Sequence, residues 1–142
     1  MNDIIINKIQ SIQRCIERAR EEYQADIADF SSNYSRQDAA ILNIMRACET
    51  AIDLANHITR KYKMGIPATS RESFELLMKK QVMSDVLCRK MSAMTGFRNI
   101  AVHTYQRLNV SVVIEIIEVG LNDFLEFTDA IAEFVHKKGE NL

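Results

Sequence analysis

Arg98-Asn99-Ile100-Ala101-Val102-His103-Thr104-Tyr105 places an arginine, an asparagine, a histidine and a tyrosine within eight residues, just after Gly96. Arginine holds a phosphate through a fork of N–H donors whose charge does not titrate away. Histidine exchanges a proton near neutral pH. Together these groups suffice to cut RNA without a metal. His103 would take the proton from a ribose 2′-OH, and a second His103 or water would protonate the 5′-oxygen that leaves. Arg98 would grip the phosphate and stabilise the negative charge that builds on it. The products would be a 2′,3′-cyclic phosphate and a 5′-OH. Asn99 would orient His103 by a hydrogen bond or cap the helix, and Tyr105 would contact phosphate or stack on a base. Taken alone, Arg-x4-His is a weak pattern that also arises by chance.

The spacing constrains how such a site is built. On a continuous helix at ~100° per residue, Arg98 and Tyr105 align within about 20° and Asn99 lies near His103. Arg98 and His103 diverge by about 140°. Three arrangements would bring them to one phosphate. Gly96 could end or bend the helix so that Arg98 begins a new one. The long Arg98 side chain could reach round. A homodimer could line one groove with two arginines and two histidines related by a two-fold axis.

The elements around this segment read as helices. The chain has 142 residues, one proline, four glycines and 47% hydrophobic residues, so few turn signals interrupt many helix formers. One domain over residues 1–142 is expected, all-α, an antiparallel four-helix-type bundle with a short extra helix. Helix one is expected over Asp3 to Asp29, with Ile5, Ile9, Ile12, Ile16, Ala19, Tyr23 and Ile27 forming the inner stripe. Helix two begins near Ser35 to Asp38 and stops around Met64-Gly65-Ile66-Pro67. A shorter helix opens at Ser70, with Phe74, Leu77 and Met78 inward. A fourth runs from Ser84 toward Gly96 with Val86, Leu87, Met91 and Met94 inward, and a last spans Val110 to His136. On that last helix Ile114, Ile117, Leu121, Leu125, Thr128, Ile131, Ala132 and Val135 are expected inward.

Net charge is −1, which excludes a uniformly basic nucleic-acid binder. The charge is unevenly placed. Residues 57–107 hold ten Lys/Arg against three acids, a net +7, while residues 1–56 carry −3 and residues 108–142 carry −5. An RNA partner would need such a local positive field around the Arg/His motif, although helical surfaces are often rich in Lys and Arg. Cys15, Cys48 and Cys88 are odd in number with no CxxC, and read as unpaired thiols of a cytoplasmic protein. The N-terminus is no signal peptide, and no apolar run is long enough to cross a membrane.

Other polar positions carry less. Glu49, Asp53 and His57 share one stripe at four-residue steps. A metal site, a polar seam facing the groove and a solvated face compete there, with the solvated face favoured for Glu49 and Asp53 evenly balanced. Glu133-x-x-His136 has the spacing of a di-iron bundle, but such a site needs two copies of the motif and only one is present. His57 and His136 read as surface residues. No metal and no cofactor is expected.

At Arg98-Asn99-x-x-x-His103-x-Tyr105 the sequence resembles the HEPN superfamily, and in this fuller form the HepT-like toxins of MNT–HEPN toxin–antitoxin pairs. Similarity extends to Asp38-Ala39-Ala40-Ile41, to the run from Glu49 through Asp53 to Ala55, and to Pro67 followed by Arg71-Glu72-Ser73-Phe74. It thus covers most of the chain from about residue 38. The resemblance implies an endoribonuclease toxin working as a homodimer, with Arg98 and His103 catalytic and Asn99 supporting them. It also implies neutralisation by an MNT-type nucleotidyltransferase antitoxin that transfers AMP from ATP onto Tyr105. A bulky anion there would compete with the RNA phosphate beside Arg98. The alternative is a non-catalytic HEPN module that binds a nucleotide or presents a substrate to a nucleotidyltransferase. A third reading, a purely structural dimerisation partner, would leave Arg98 and His103 without a task.

Overall fold

In the computed structural model, residues 3–103 and 108–139 are described. The chain forms α1 (Asp3–Gln24), a 3-10 turn (Phe30–Ser32), α2 (Tyr34–Lys61), α3 (Ser70–Lys79), α4 (Asp85–His103), α5 (Val110–Glu115), a π turn (Ile116–Gly120) and α6 (Leu121–Lys137). Among the described residues every regular element is helical. The contacts fix the directions. Arg36 at the start of α2 pairs with Glu22 at the end of α1, 3.3 Å apart, so those helices are antiparallel. Tyr23 donates to Glu118 and Arg20 to Asn122, which sets the end of α1 beside the start of α6. Lys90 meets Asp123 at 3.7 Å while Met94 lies against Gly120, so α4 and α6 also run antiparallel. The result is a ring of α1, α2, α4 and α6 with antiparallel neighbours, α3 bridging α2 to α4.

Phe30, Phe74, Phe124 and Phe127 are fully buried, with Phe74 edge-on to Phe127 at 5.6 Å between ring centroids. Caps decide the helix starts. The Asn33 side chain accepts from the Arg36 amide, Thr69 Oγ from the Glu72 amide, and Ser84 Oγ from the Leu87 amide.

Several boundaries differ from the periodicity. Helix α1 ends at Gln24, five residues before Asp29, and Ile27 is left 57% exposed. The chain must turn there to place Phe30 in the core edge-on to Tyr23. Helix α2 starts at Tyr34 because Asn33 supplies the cap. Val86 is 52% exposed, since the inner side of α4 is taken by Leu87, Cys88, Met91 and Met94.

Gly96 does not end α4, which runs unbroken to His103. Buried Met94, Phe97 and Ala101 on either side hold that turn helical. This outweighs the ~1 kcal/mol that glycine costs a helix interior. The last helix is divided by the π turn. Val113, Phe124 and Phe127 are buried while Ile114 and Leu125 lie only half inside. The phenyl rings claim more of the core than the leucine.

Candidate active site

Arg98 and His103 belong to the last two turns of α4. Because α4 is continuous, the two side chains leave the helix about 140° apart. Arg98 leans toward α2. Its Nε lies 3.6 Å from Glu49 Oε1, in ion-pair range yet beyond a hydrogen bond, and that shielded Nε has no hydrogen-bond partner among the described residues. Nη1 donates to Asn99 Oδ1 at 3.0 Å. Asn99 leaves the helix between Arg98 and His103, about 100° from the first and 40° from the second. The asparagine therefore draws the guanidinium round toward the histidine's side. The Arg98 side chain is 35% exposed and Glu49 50%, so the charge is anchored but open to a ligand.

The underside of the site is apolar. Cys48 donates its thiol to Met94 O at 3.6 Å. Burial pushes this thiol up to about 12, against the pull of the nearby Arg98 charge. It stays protonated and is no nucleophile. Cys15 and Cys88 are likewise buried free thiols held above their ordinary value, chiefly by desolvation.

His103 is exposed at the end of α4. Gly96 and His103 align within about 20° around the helix, with Ala93 and Ile100 within about 60° of Gly96 and Val86 within about 80°. All five are exposed, as is Arg89, which aligns within about 20° of Gly96. The histidine thus ends an exposed strip of small and apolar residues interrupted by one arginine, and a side chain added at Gly96 would meet open space. Tyr105 falls outside the described residues.

The polar stripe of α2 separates into different environments. Glu49 is the Arg98 anchor, a role the sequence pattern did not reveal because its partner lies 49 positions away. Asp53 is exposed one turn further on, and His57 is half-buried. Among the described residues no three His, Cys, Asp or Glu side chains cluster closely enough to hold a metal ion. No described helix is long and apolar enough to cross a membrane.

The family described as Ribonuclease HepT-like matches residues 12–131. The chain belongs to this HepT-like ribonuclease family. It is 47% identical over 131 residues to the mRNA nuclease HepT of Shewanella oneidensis, covering 92% of this chain and 98% of that protein. It is 26% identical over 121 residues to the tRNA nuclease HepT of Aphanizomenon flos-aquae, covering 85% and 82%. Among solved structures it is similar to the tri-AMPylated Shewanella oneidensis HEPN toxin in complex with MNT antitoxin. That likeness has a TM-score of 0.87 and 46% identity, over 92% of this chain and 98% of the other. A toxin–antitoxin complex with AMP-PNP is similar at a TM-score of 0.87 and 45% identity, with the same coverage. The HepT-like assignment confirms the all-helical HEPN bundle read from the sequence.

Proposed function

We propose that this HepT-like chain is a metal-independent endoribonuclease toxin whose site is completed by two copies of the chain. The observation that carries this is the unbroken α4. It anchors Arg98 between Glu49 and Asn99 and sends His103 about 140° away, on the exposed strip that includes Ala93, Gly96 and Ile100. Arg98 itself lies about 160° from Gly96, off that strip, and Asn99 lies between Arg98 and His103. Copies packed about Asn99 would bring His103 of one toward Arg98 of the other.

His103 of one copy takes the 2′-OH proton as that oxygen attacks phosphorus. The P–O5′ bond breaks, and His103 of the other copy or water protonates the leaving oxygen. Arg98 holds the phosphate and offsets the charge added in the transition state. Asn99 and Glu49 position Arg98, and Asp53 borders the groove from α2. The product is a 2′,3′-cyclic phosphate with a 5′-OH on the other fragment.

The MNT antitoxin bound to the similar HEPN toxin supports a nucleotidyltransferase partner for this chain as well. We assign Tyr105, two residues beyond His103, as the acceptor of AMP from ATP. Each transferred group would add a negative phosphate beside the Arg98/His103 segment and repel RNA.

The test is cleavage by antitoxin-free protein in excess EDTA, beside Arg98→Ala and His103→Ala, with end-group analysis. Cyclic phosphate ends that disappear in both variants establish the reading. Failure of the unmodified, folded dimer to cleave messenger, transfer and ribosomal RNA would overturn it in favour of a nucleotide-binding or substrate-presenting module.

A further inference from the structure

At the other end of α2 from its Asn33 cap lies a cleft of about 740 Å³, the size of a small-ligand site, between the last turns of α2 and the loop into α3. Asn56, Arg60 and Lys63 form one wall, and Gly65, Thr69 and Ser70 the other. The chain turns sharply to make it, with Lys63 at φ 53° and Gly65 at φ 121° in the left-handed region. Asn56 is held in place by the hydroxyl of buried Ser73, which donates to its Oδ1. Arg60 and Lys63 are both exposed, and neither forms an ion pair among the described residues. In a chain of net charge −1, two unpaired cations on one cleft are an anion site by charge and shape.

This cleft is in line with the Arg98 anchor. From Glu49, Asn56 and Arg60 each return to within about 20° around α2, and Lys63 lies just beyond its last turn. Arg60 is eleven residues from Glu49, about 16 Å along the helix at ~1.5 Å per residue. A strand holding one phosphate at Arg98 would therefore reach the cleft within about five nucleotides, at ~3.4 Å each when stacked. Asp53, exposed between the two, is the one carboxylate on the stripe that Arg98 does not neutralise.

We infer that the Arg60/Lys63 cleft is a distal phosphate subsite for the RNA strand that is cut at Arg98 and His103, so that the outer stripe of α2 is the track along which the strand lies. The inference rests on the proposed ribonuclease reading, and its test separates the two. Binding of a single-stranded RNA decamer would be measured by fluorescence anisotropy across a salt series, using the full-length dimer carrying His103→Ala to prevent cleavage.

Adding Arg60→Gln and Lys63→Gln together is expected to weaken the decamer about tenfold near 0.1 M salt and to flatten the log–log salt slope by about 1.4. Lys79→Gln with Lys80→Gln removes the same charge from exposed positions on the same basic segment, and is expected to change binding less than twofold. Asp53→Asn is expected to tighten the decamer. In the His103 background-free protein, the cleft pair should lower kcat/KM on the decamer and leave a dinucleoside monophosphate, which carries one phosphate, unaffected.

Equal weakening by the Lys79/Lys80 pair would overturn the inference, because the effect would then be the general field of the basic segment. So would an unchanged slope for the cleft pair in protein whose thermal melt matches the parent. AMP binding that depends on Arg60 and Lys63 while the decamer is unaffected would also overturn it, assigning the cleft to a free nucleotide. Cleft-dependent decamer binding by a wild-type protein that cleaves nothing would instead sink the ribonuclease reading and leave the strand track standing.

Discussion

Two variants that are each inactive should regain activity when mixed, if Arg98 and His103 act across two copies. The perturbation is to prepare Arg98→Ala and His103→Ala separately and exchange their subunits by joint unfolding and refolding. Because α4 is unbroken between the two positions, one copy sends them about 140° apart. The proposed site therefore takes its arginine from one copy and its histidine from the other. In a mixed dimer, the Arg98→Ala copy supplies an intact His103 and the His103→Ala copy an intact Arg98. One of the two symmetry-related arrangements then holds an arginine and a histidine, with water as the acid, and the other lacks both groups.

Random pairing at equal concentrations makes half of the dimers mixed, each with one such arrangement in two. The mixture should recover about a quarter of wild-type activity. The His103→Ala variant should lie ~10²–10⁴-fold below wild type, the usual worth of a positioned proton-transfer group, and the Arg98→Ala variant ~10²–10³-fold, that of a group stabilising transition-state charge. The assay is initial-rate cleavage of an end-labelled RNA in EDTA, with native mass spectrometry counting the mixed dimers. If mixed dimers form in the expected proportion and activity stays at the level of the separate variants, the cross-copy geometry is wrong. Arg98 would then reach His103 within one copy.

Asn99→Ala removes the 3.0 Å hydrogen bond that draws Arg98 round the helix. Discounted for the part-exposed guanidinium, this is worth about 1 kcal/mol, or roughly fivefold in kcat/KM on RNA. Glu49→Gln should act in the same direction with a smaller loss, and kinetics within twofold of wild type for both would remove the anchoring role. Stability should fall at alkaline pH through Cys48. Below pH 9 its thiol is protonated folded and unfolded alike, whereas above 9.0 the unfolded thiol ionises and the folded one, held near 12, does not. The unfolded state is thus favoured by ~1.4 kcal/mol per pH unit, or about 2 kcal/mol between pH 8 and 10.5. Urea unfolding should show a smaller loss over that range for Cys48→Ala than for wild type, and equal losses would contradict the account.

The sequence by itself determined the elements and the chemical vocabulary. Repeats of three and four residues, such as Ile5, Ile12, Ile16 and Ala19, announce a buried stripe because helix periodicity is local. The Pro67 and Ser70 signals placed α3 for the same reason, since a helix start is read within four residues, with Thr69 supplying the cap. The Arg98–Tyr105 segment carried the motif by which the sequence resembles the HepT-like family.

Tertiary structure decided what depends on distant partners. Glu49 looked like a solvated side chain until α2 and α4 were set side by side and Arg98 fell within 3.6 Å. Whether Gly96 would break α4 was open in the sequence, because its weak helix propensity competes with the packing of Met94, Phe97 and Ala101, and packing won. The early end of α1 and the choice of Phe124 and Phe127 over Leu125 have the same origin. Periodicity names the side chains that could face inward, but the volume available between four helices selects the ones that do.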